Sequence, residues 1–237
     1  MDKILIEYRF VLDGGQQARF QLQFDPETMQ LIVPAPSQTP AWTALEFEQC
    51  PHCPLNQSES PQCPVALGLA PIVSSFDRIL SYAELDVEVV INNRTVRQHT
   101  SAQKALSSLM GLIMATSGCP HTVFFRAMAR HHLPFAGSEE TICRATAYYL
   151  LAQFLLTKTG QHGEFSFEGL DKIYKNMQRI NVAIAKRLRS AVAADSTVNA
   201  VVLLDFFAQT LPMAIEESLE EVRYIFGPYF SGLAKEP

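Results

Sequence analysis

The spacing of the apolar residues changes once along this 237-residue chain, near residue 100, and that change limits the fold more than any other feature. Before it, apolar and polar residues alternate, as in strands with one buried face. After about Ser101 the apolar residues recur every three or four positions, which is typical of helices packed on a core. The sequence therefore predicts an α+β fold: an antiparallel β-rich domain at residues 1–100 and a helical domain at 101–237 packed against it.

The β-rich part is predicted to form an antiparallel sheet of about five strands. Residues 3–12 and 20–24 alternate on either side of Asp13-Gly14-Gly15, a combination typical of a hairpin. The segment MQLIVP, 29–34, is expected to add a third strand. A second hairpin turning at Asn92-Asn93 is expected to supply the remaining strands of the same sheet.

One helix is predicted before residue 100 and about five after it. Pro64 suits the first turn of the earlier helix, which Pro71 is expected to kink. Ser101 and Ser138 are predicted to cap two later helices. The later helices are expected at about 101–117, from 120, at 138–160, at 166–194, and from 196 with a bend at Pro212.

Four of the five cysteines are followed directly by proline: Cys50, Cys53, Cys63 and Cys119. The Cys50-x2-Cys53 spacing allows two thiolates to bind one metal, and Cys63 lies in the same loop. Folding would have to bring in Cys119 from a distance. Because proline fixes φ and removes a backbone donor, it stiffens a ligand loop. The sequence therefore predicts one metal site formed by these four cysteines.

Two metals compete for this predicted site. Zinc-ribbon knuckles use glycine at a positive φ after the second cysteine, and Pro54 cannot adopt that conformation. Cys-Pro pairs occur in iron–sulfur proteins, although the tight spacing of bacterial ferredoxins is absent here. A [4Fe–4S]-type iron–sulfur cluster is therefore slightly favoured over Zn²⁺. The alternatives are zinc, with His52 or His121 as a rival ligand, and no metal, in which case both are exposed loop histidines.

An enzyme is the competing interpretation. Cys119 lies between two predicted helices, where a helix N-terminus would lower its pKa and His121 could serve as its base. A second polar group could bind metal or carry out acid–base chemistry, and it contains His131, His132, Glu139 and Glu140. The simpler interpretation of the two acids is an ordinary helix N-terminus. Cys143 is predicted to be a buried small hydrophobe on an apolar helix face.

The motifs of common enzymes are missing from the sequence. It contains no P-loop, no G-x-G-x-x-G, no G-x-S-x-G and no H-E-x-x-H, which are signatures of nucleotide-hydrolysing, dinucleotide-binding, esterase and zinc-protease chemistry. A non-catalytic protein is therefore the primary prediction.

Composition bears on partners and location. The net charge of −5 gives no general attraction to phosphates, so nucleic acid is not expected as a ligand. Charged residues make up only 18%, which indicates apolar surface shared in a homo-oligomer, such as a dimer, or with a protein partner of the helical domain. The segment MDKILIEYRF lacks signal-peptide features and no apolar run has membrane length, so a cytoplasmic protein without a membrane span is expected.

Basic residues concentrate on the predicted fourth helix after residue 100. They are interpreted as a solvated face, with steering of an acidic partner as the alternative. The set comprises Lys172, Lys175, Arg179, Lys186, Arg187 and Arg189.

Several motifs together resemble an uncharacterised bacterial domain family of unknown function, over most of the chain. They are GLIMATSGCP, MARHHLPFAGSEET with the helix after it, CPHCPL and CPVA. The resemblance implies a bacterial, cytoplasmic protein and no particular activity. From the residues themselves we expect a regulatory or accessory protein whose four-cysteine metal site senses redox state or a ligand. The alternatives are a zinc-stapled structural or adaptor protein, and an enzyme centred on Cys119 or on the His131/His132 region.

Overall fold

The computed structural model describes residues 3–34, 39–192, 194–205, 208–209 and 222–233. It confirms the α+β class. The sheet has four strands, and they are β1 (Ile4–Leu12), β2 (Gln17–Phe24), β3 (Glu84–Ile91) and β4 (Arg94–Ser101). Their order is β2-β1-β3-β4, with every neighbouring pair antiparallel. The second hairpin thus joins the first, as predicted, through the β1–β3 pair.

Local sequence explains the two hairpins. Gly14 and Gly15 turn the first with φ of 84° and 82°, and Asn92 turns the second with φ of 51°. These are left-handed conformations that glycine, and to a lesser extent asparagine, adopts at low cost. The alternating pattern then buries one face of the sheet, where Tyr8 and Phe10 of β1 are fully covered.

The prediction of about five strands is wrong for the segment 29–34. Within the described residues this segment makes only an isolated bridge, between Leu31 and Phe24. Met29 takes a positive φ of 59°, which turns the chain sharply after β2. The Leu31 N–H then donates to the carbonyl of Thr116, at 2.8 Å. Toward β2 the segment makes only the two bonds that flank the bridge, from the Ile32 N–H to the Gln23 carbonyl and from the Asp25 N–H to the Gln30 carbonyl. The next residue that would donate to β2 is Pro34, which has no N–H, so the ladder stops there.

Seven α-helical segments are described. Their bounds are α1 (Pro64–Phe76), α2 (Ala102–Thr116), α3 (Phe125–Arg130), α4 (Ser138–Lys158), α5 (Glu168–Ala191), α6 (residues 196–205) and α7 (Gly227–Leu233). The predicted starts of α1, α2 and α4 are confirmed. The N-cap of α4 is Gly137 rather than Ser138, and the Gly137 N–H donates to Glu140 Oε2 at 2.9 Å. The bend predicted at Pro212 lies outside the described residues.

One large core joins the sheet to the helices. Its buried members come from β1–β3, α1, α2, α5 and α6, so they lie on both sides of residue 100. The helices α1 and α2 approach closely at Gly68, where an added Cβ would lie 2.9 Å from Ile113 Cγ2. A smaller buried cluster joins α3, α4 and α5 around Tyr149 and Tyr174. The C-terminal end of α2, which carries Cys119, is thereby held against the start of α1, which carries Cys63.

Over the described ranges, no helix combines the length and the apolar character that crossing a membrane requires.

Candidate functional site

The loop that carries the first three cysteines is closed at its base by backbone pairing. Ala44 and Gln62 form a bridge, and the Cys63 N–H donates to the carbonyl of Thr43 at 2.8 Å. Inside the loop, the Cys53 N–H donates to the carbonyl of Cys50 at 3.0 Å, so Cys50-x2-Cys53 forms one tight turn. Cys63 is the N-cap residue of α1. Backbone geometry therefore holds three thiols on one short loop.

Cys119 reaches this loop from the end of α2. Gly118 turns the chain there with φ of 96°, and a Cβ added to it would lie 3.9 Å from the Cβ of Pro64, next to Cys63. His121 Nε2 lies 2.9 Å from the carbonyl oxygen of His52, and the two imidazole rings have centroids 4.2 Å apart. The segments CPHCP and SGCPH are therefore in direct contact.

Electrostatics place the four thiols in one region. Burial, together with the nearby thiols of Cys63, Cys119 and Cys53, raises the pKa of Cys50 to about 12. Burial likewise raises the pKa of Cys119 to about 11, with contributions from Cys63 and Cys53, while backbone N–H groups at His121 and Thr122 act in the opposite direction. All the cysteines of the chain are free. Cys50 and Cys119 are consequently neutral thiols at physiological pH.

The thiols are close but do not form a finished coordination shell. Among the residues that the structure describes, no group of three or more His, Cys, Asp or Glu side chains is arranged to hold a metal ion. Metal binding at these cysteines would therefore need both deprotonation and a local closing of the loop.

The prediction of His52 and His121 as exposed loop histidines is wrong, because both are half-buried and their rings lie against each other at a tilt of 32°. Both ring nitrogens of His52 are buried without a hydrogen-bond partner. Burial lowers the pKa of His52, as do His121 and Arg179, although the main chain of Asn176 favours the charged form. An unsatisfied imidazole beside the cysteines keeps His52 as a rival ligand.

Arg187 lies in this region, and the sequence pattern did not identify it as a buried residue. It was grouped with the solvated basic face of α5, yet it is only 1% exposed. Its Nη1 donates to the carbonyls of Trp42 and Ala44, at 2.8 and 2.7 Å, and its Nη2 to that of Leu45, at 2.9 Å. No carboxylate of the described residues forms an ion pair with it.

The charge of Arg187 is felt at the cysteines, since it lowers the pKa of Cys50 against the larger effect of burial. A signal for this role was present in the helical spacing. Arg187 lies three residues after Ile184 and seven after Ile180, on the same face as these buried side chains. α5 therefore places an unpaired buried cation next to the candidate thiol ligands.

The second predicted polar group does not come together as one site. Each of its members has a different partner: His131 Nδ1 lies 2.7 Å from Tyr148 Oη, His132 Nε2 lies 2.6 Å from Tyr8 Oη, Glu140 caps α4, and Glu139 accepts a hydrogen bond from Tyr224 Oη at 3.1 Å. The interpretation of the two acids as a helix N-terminus fits this arrangement.

The structure also bears on the predictions for Cys119 as a nucleophile and for Cys143 as a buried hydrophobe. Only a single turn of 3₁₀-helix, Pro120–Thr122, follows Cys119, and burial raises its pKa instead of lowering it. The thiol thus lacks the activation that a nucleophile needs. Cys143 is partly exposed, so its prediction as a buried hydrophobe is wrong.

A family model described as a domain of unknown function (DUF6901) matches residues 6–227. The search of curated proteins and the search of solved structures each find no match.

Proposed function

Because the chain belongs to the DUF6901 family, whose function is unknown, we propose a function from its own geometry: a non-catalytic regulatory or accessory protein that binds a metal centre through Cys50, Cys53, Cys63 and Cys119. The observation that carries the proposal is the packing of the three chain segments that contain these cysteines against one another, beside the buried cation Arg187. A site with four protein ligands has no open position for a substrate, so we assign it a sensing or structural role.

The guanidinium of Arg187, which has no ionic partner among the described residues, favours a bound metal over four unligated thiols. A metal bound by four thiolates has a net negative charge, which is costly to bury without a counter-charge. Arg187 supplies that charge from a fully buried position and is held there by three carbonyls. With neutral thiols the same guanidinium is a buried charge without an ionic partner among the described residues, which is unfavourable.

The raised pKa values give the proposed site a pH dependence. Thiols must lose their protons to bind metal, so affinity should fall as the pH is lowered. In the metal-free protein the thiols of Cys50 and Cys119 stay protonated. Loading would close the loop against α1 and the end of α2, and this coupling is how the site would report redox state or metal supply.

An iron–sulfur cluster remains slightly favoured over zinc, on the strength of the Cys-Pro pairs. The alternative is a zinc-stapled structural or adaptor protein. The imidazole of His52, which has no hydrogen-bond partner among the described residues, favours that alternative, because zinc binds mixed sets of cysteine and histidine ligands.

The test is elemental analysis with an ultraviolet–visible spectrum on protein purified without oxygen. Iron with broad visible absorption assigns the cluster, while one zinc and no colour assigns the staple. Cys50→Ser and Cys63→Ser should each lose the metal, and Cys143→Ser on α4 is the matched control that should keep it. Full metal content in the first two variants, or none in the unmodified protein, would overturn the proposal.

We also propose that the protein is cytoplasmic, where thiols stay reduced, and that its helical part meets a second copy or a protein partner. The support is the apolar surface on α4, where Leu151, Phe154 and Leu155 are about half exposed. Sedimentation velocity on the purified chain tests the first case, and a monomer at all concentrations would leave only the second.

A further inference from the structure

A cavity of about 450 Å³ lies among the helices, away from the cysteines. It is bounded by α2, α3, α5, α6 and the loop and first turn that begin α4. Its walls are mainly apolar and include Leu112, Phe125, Met128, Met177 and Leu204. Cavities of a few hundred Å³ with apolar walls and a few polar groups are typical of small-molecule sites.

Asn181 is the unexplained polar group of this cavity. It lines the cavity from α5 and is 1% exposed, yet neither its Nδ2 nor its Oδ1 has a hydrogen-bond partner among the residues that the structure describes. An amide buried without partners is costly, and most buried polar groups in proteins are satisfied. An unsatisfied amide at this position destabilises the free protein, so we take it as a sign that a bound ligand supplies the missing hydrogen bonds.

The described residues that line the cavity carry positive and no negative charge. Arg144 and Lys104 are among them, and neither Asp nor Glu is. The Arg144 Nη2 donates to the carbonyls of Met128 and His131, at 2.8 and 3.1 Å. No carboxylate of the described residues forms an ion pair with this half-buried guanidinium. Met128 and His131 are the only acceptors of Arg144 among the residues described, so its remaining N–H groups can donate to an anion.

His132 adds a neutral polar group to the same wall. Its Nε2 lies 2.6 Å from Tyr8 Oη, which in turn lies 2.8 Å from Ser108 Oγ. Burial, with Arg144 as a second cause, lowers the pKa of His132 to about 3, so the imidazole is uncharged at neutral pH. Arg144 therefore supplies a half-buried charge, whereas Lys104 is exposed at the surface.

We propose that this cavity binds a small amphipathic carboxylic acid. One guanidinium and one amide match a single carboxylate, which accepts two parallel N–H bonds from arginine. A phosphate ester, with nearly two charges, would need more than this one half-buried cation. The apolar walls accept a hydrocarbon or aryl body, and burying it provides most of the affinity. Medium-chain fatty acids and arylalkanoic acids share this chemistry.

Isothermal titration of the protein as purified, with decanoate and with 1-decanol, tests the proposal. Decanoate should bind one to one and saturate, and 1-decanol, which lacks the charge, should bind at least about tenfold more weakly. Repeating the titration with 4-phenylbutanoate distinguishes an alkyl from an aryl preference. Absence of saturable binding for both acids up to about 1 mM, or equal affinity for decanoate and 1-decanol, would overturn the proposal.

Two substitutions locate the binding. Arg144→Gln should weaken decanoate binding at least about tenfold. Arg130→Gln is its control, because Arg130 is exposed on α3, does not line the cavity and donates only to the carbonyl of Pro26. If both variants bind decanoate as the unmodified protein does, the assignment to this cavity is wrong.

Asn181→Leu keeps the test decisive if Arg144→Gln does not fold. Leucine has a similar shape and removes the unsatisfied amide, so the free protein should melt at a higher temperature while decanoate binds more weakly. A lower melting temperature would show that Asn181 is satisfied within the fold, and unchanged affinity would remove it from the site. Cys50→Ser should leave decanoate binding unaltered, so failure of the metal proposal and failure of this one are distinguishable.

Discussion

Replacing Arg187 with methionine tests how the cysteine loop is attached to α5. The change removes three hydrogen bonds to the carbonyls of Trp42, Ala44 and Leu45. The Ala44 carbonyl keeps the N–H of Phe47, at 3.2 Å, whereas the other two lose the partner that Arg187 provided. Each buried acceptor left unsatisfied costs about 1–3 kcal/mol, so the two together cost about 2–6 kcal/mol.

A compensating gain reduces that figure, because methionine does not require burial of a charge. We therefore expect a loss of about 3 kcal/mol, a large share of the roughly 5–15 kcal/mol that holds a typical domain folded. Urea denaturation followed by circular dichroism, on metal-free protein, measures it through the shift of the midpoint. Arg187→Lys retains the charge but not the planar fork, and it should fall in between.

Arg189→Met is the matched control, since Arg189 lies two residues further on α5 and is exposed. Its position in the last helical turn limits its effect to about 1 kcal/mol. If Arg187→Met costs no more than this control, the three carbonyl bonds do not anchor the loop and the reasoning fails.

Three further results are expected. Burial lowers the pKa of His132 to about 3 in the folded protein. Below about pH 6.5 the unfolded chain therefore binds a proton at His132 that the folded protein does not bind. Stability should therefore fall by up to about 1.4 kcal/mol per pH unit as the pH drops from about 6.5 towards 3, and His132→Gln should reduce that slope by one proton; equal slopes would contradict the burial of a neutral imidazole. Gly68→Ala should destabilise the protein by about 1–2 kcal/mol, because its Cβ would meet α2 at 2.9 Å, whereas Gly227→Ala, with nothing within 4 Å, should not; equal unfolding midpoints would refute the close contact. In metal-free native protein, iodoacetamide should modify the partly exposed Cys143 faster than Cys119, which is 8% exposed with its pKa raised to about 11; the reverse order by mass spectrometry would revive Cys119 as a nucleophile.

Sequence alone was sufficient wherever the deciding interaction lies within a few residues. The α+β class followed from the change of apolar spacing near residue 100, and both hairpins from their Gly and Asn turns. The starts of α1, α2 and α4 followed from Pro64, Ser101 and the Ser138 region. The segments that carry the four cysteines do meet, but through contacts between distant parts of the chain, and the metal site itself stays a prediction.

Tertiary structure decided what depends on a partner far along the chain. The segment predicted as a third strand makes only a bridge to β2, and on its other side the Leu31 N–H ties it to Thr116 at the end of α2. The burial of Arg187 could not be predicted locally, because its three carbonyl acceptors lie more than 140 residues away in the sequence. The same holds for His132, whose partner Tyr8 lies 124 residues away. The spacing of apolar residues shows which face of a helix or strand is buried. Hydrogen bonds, however, are short and directional, so only the packed fold shows which polar group lies within reach of each buried side chain.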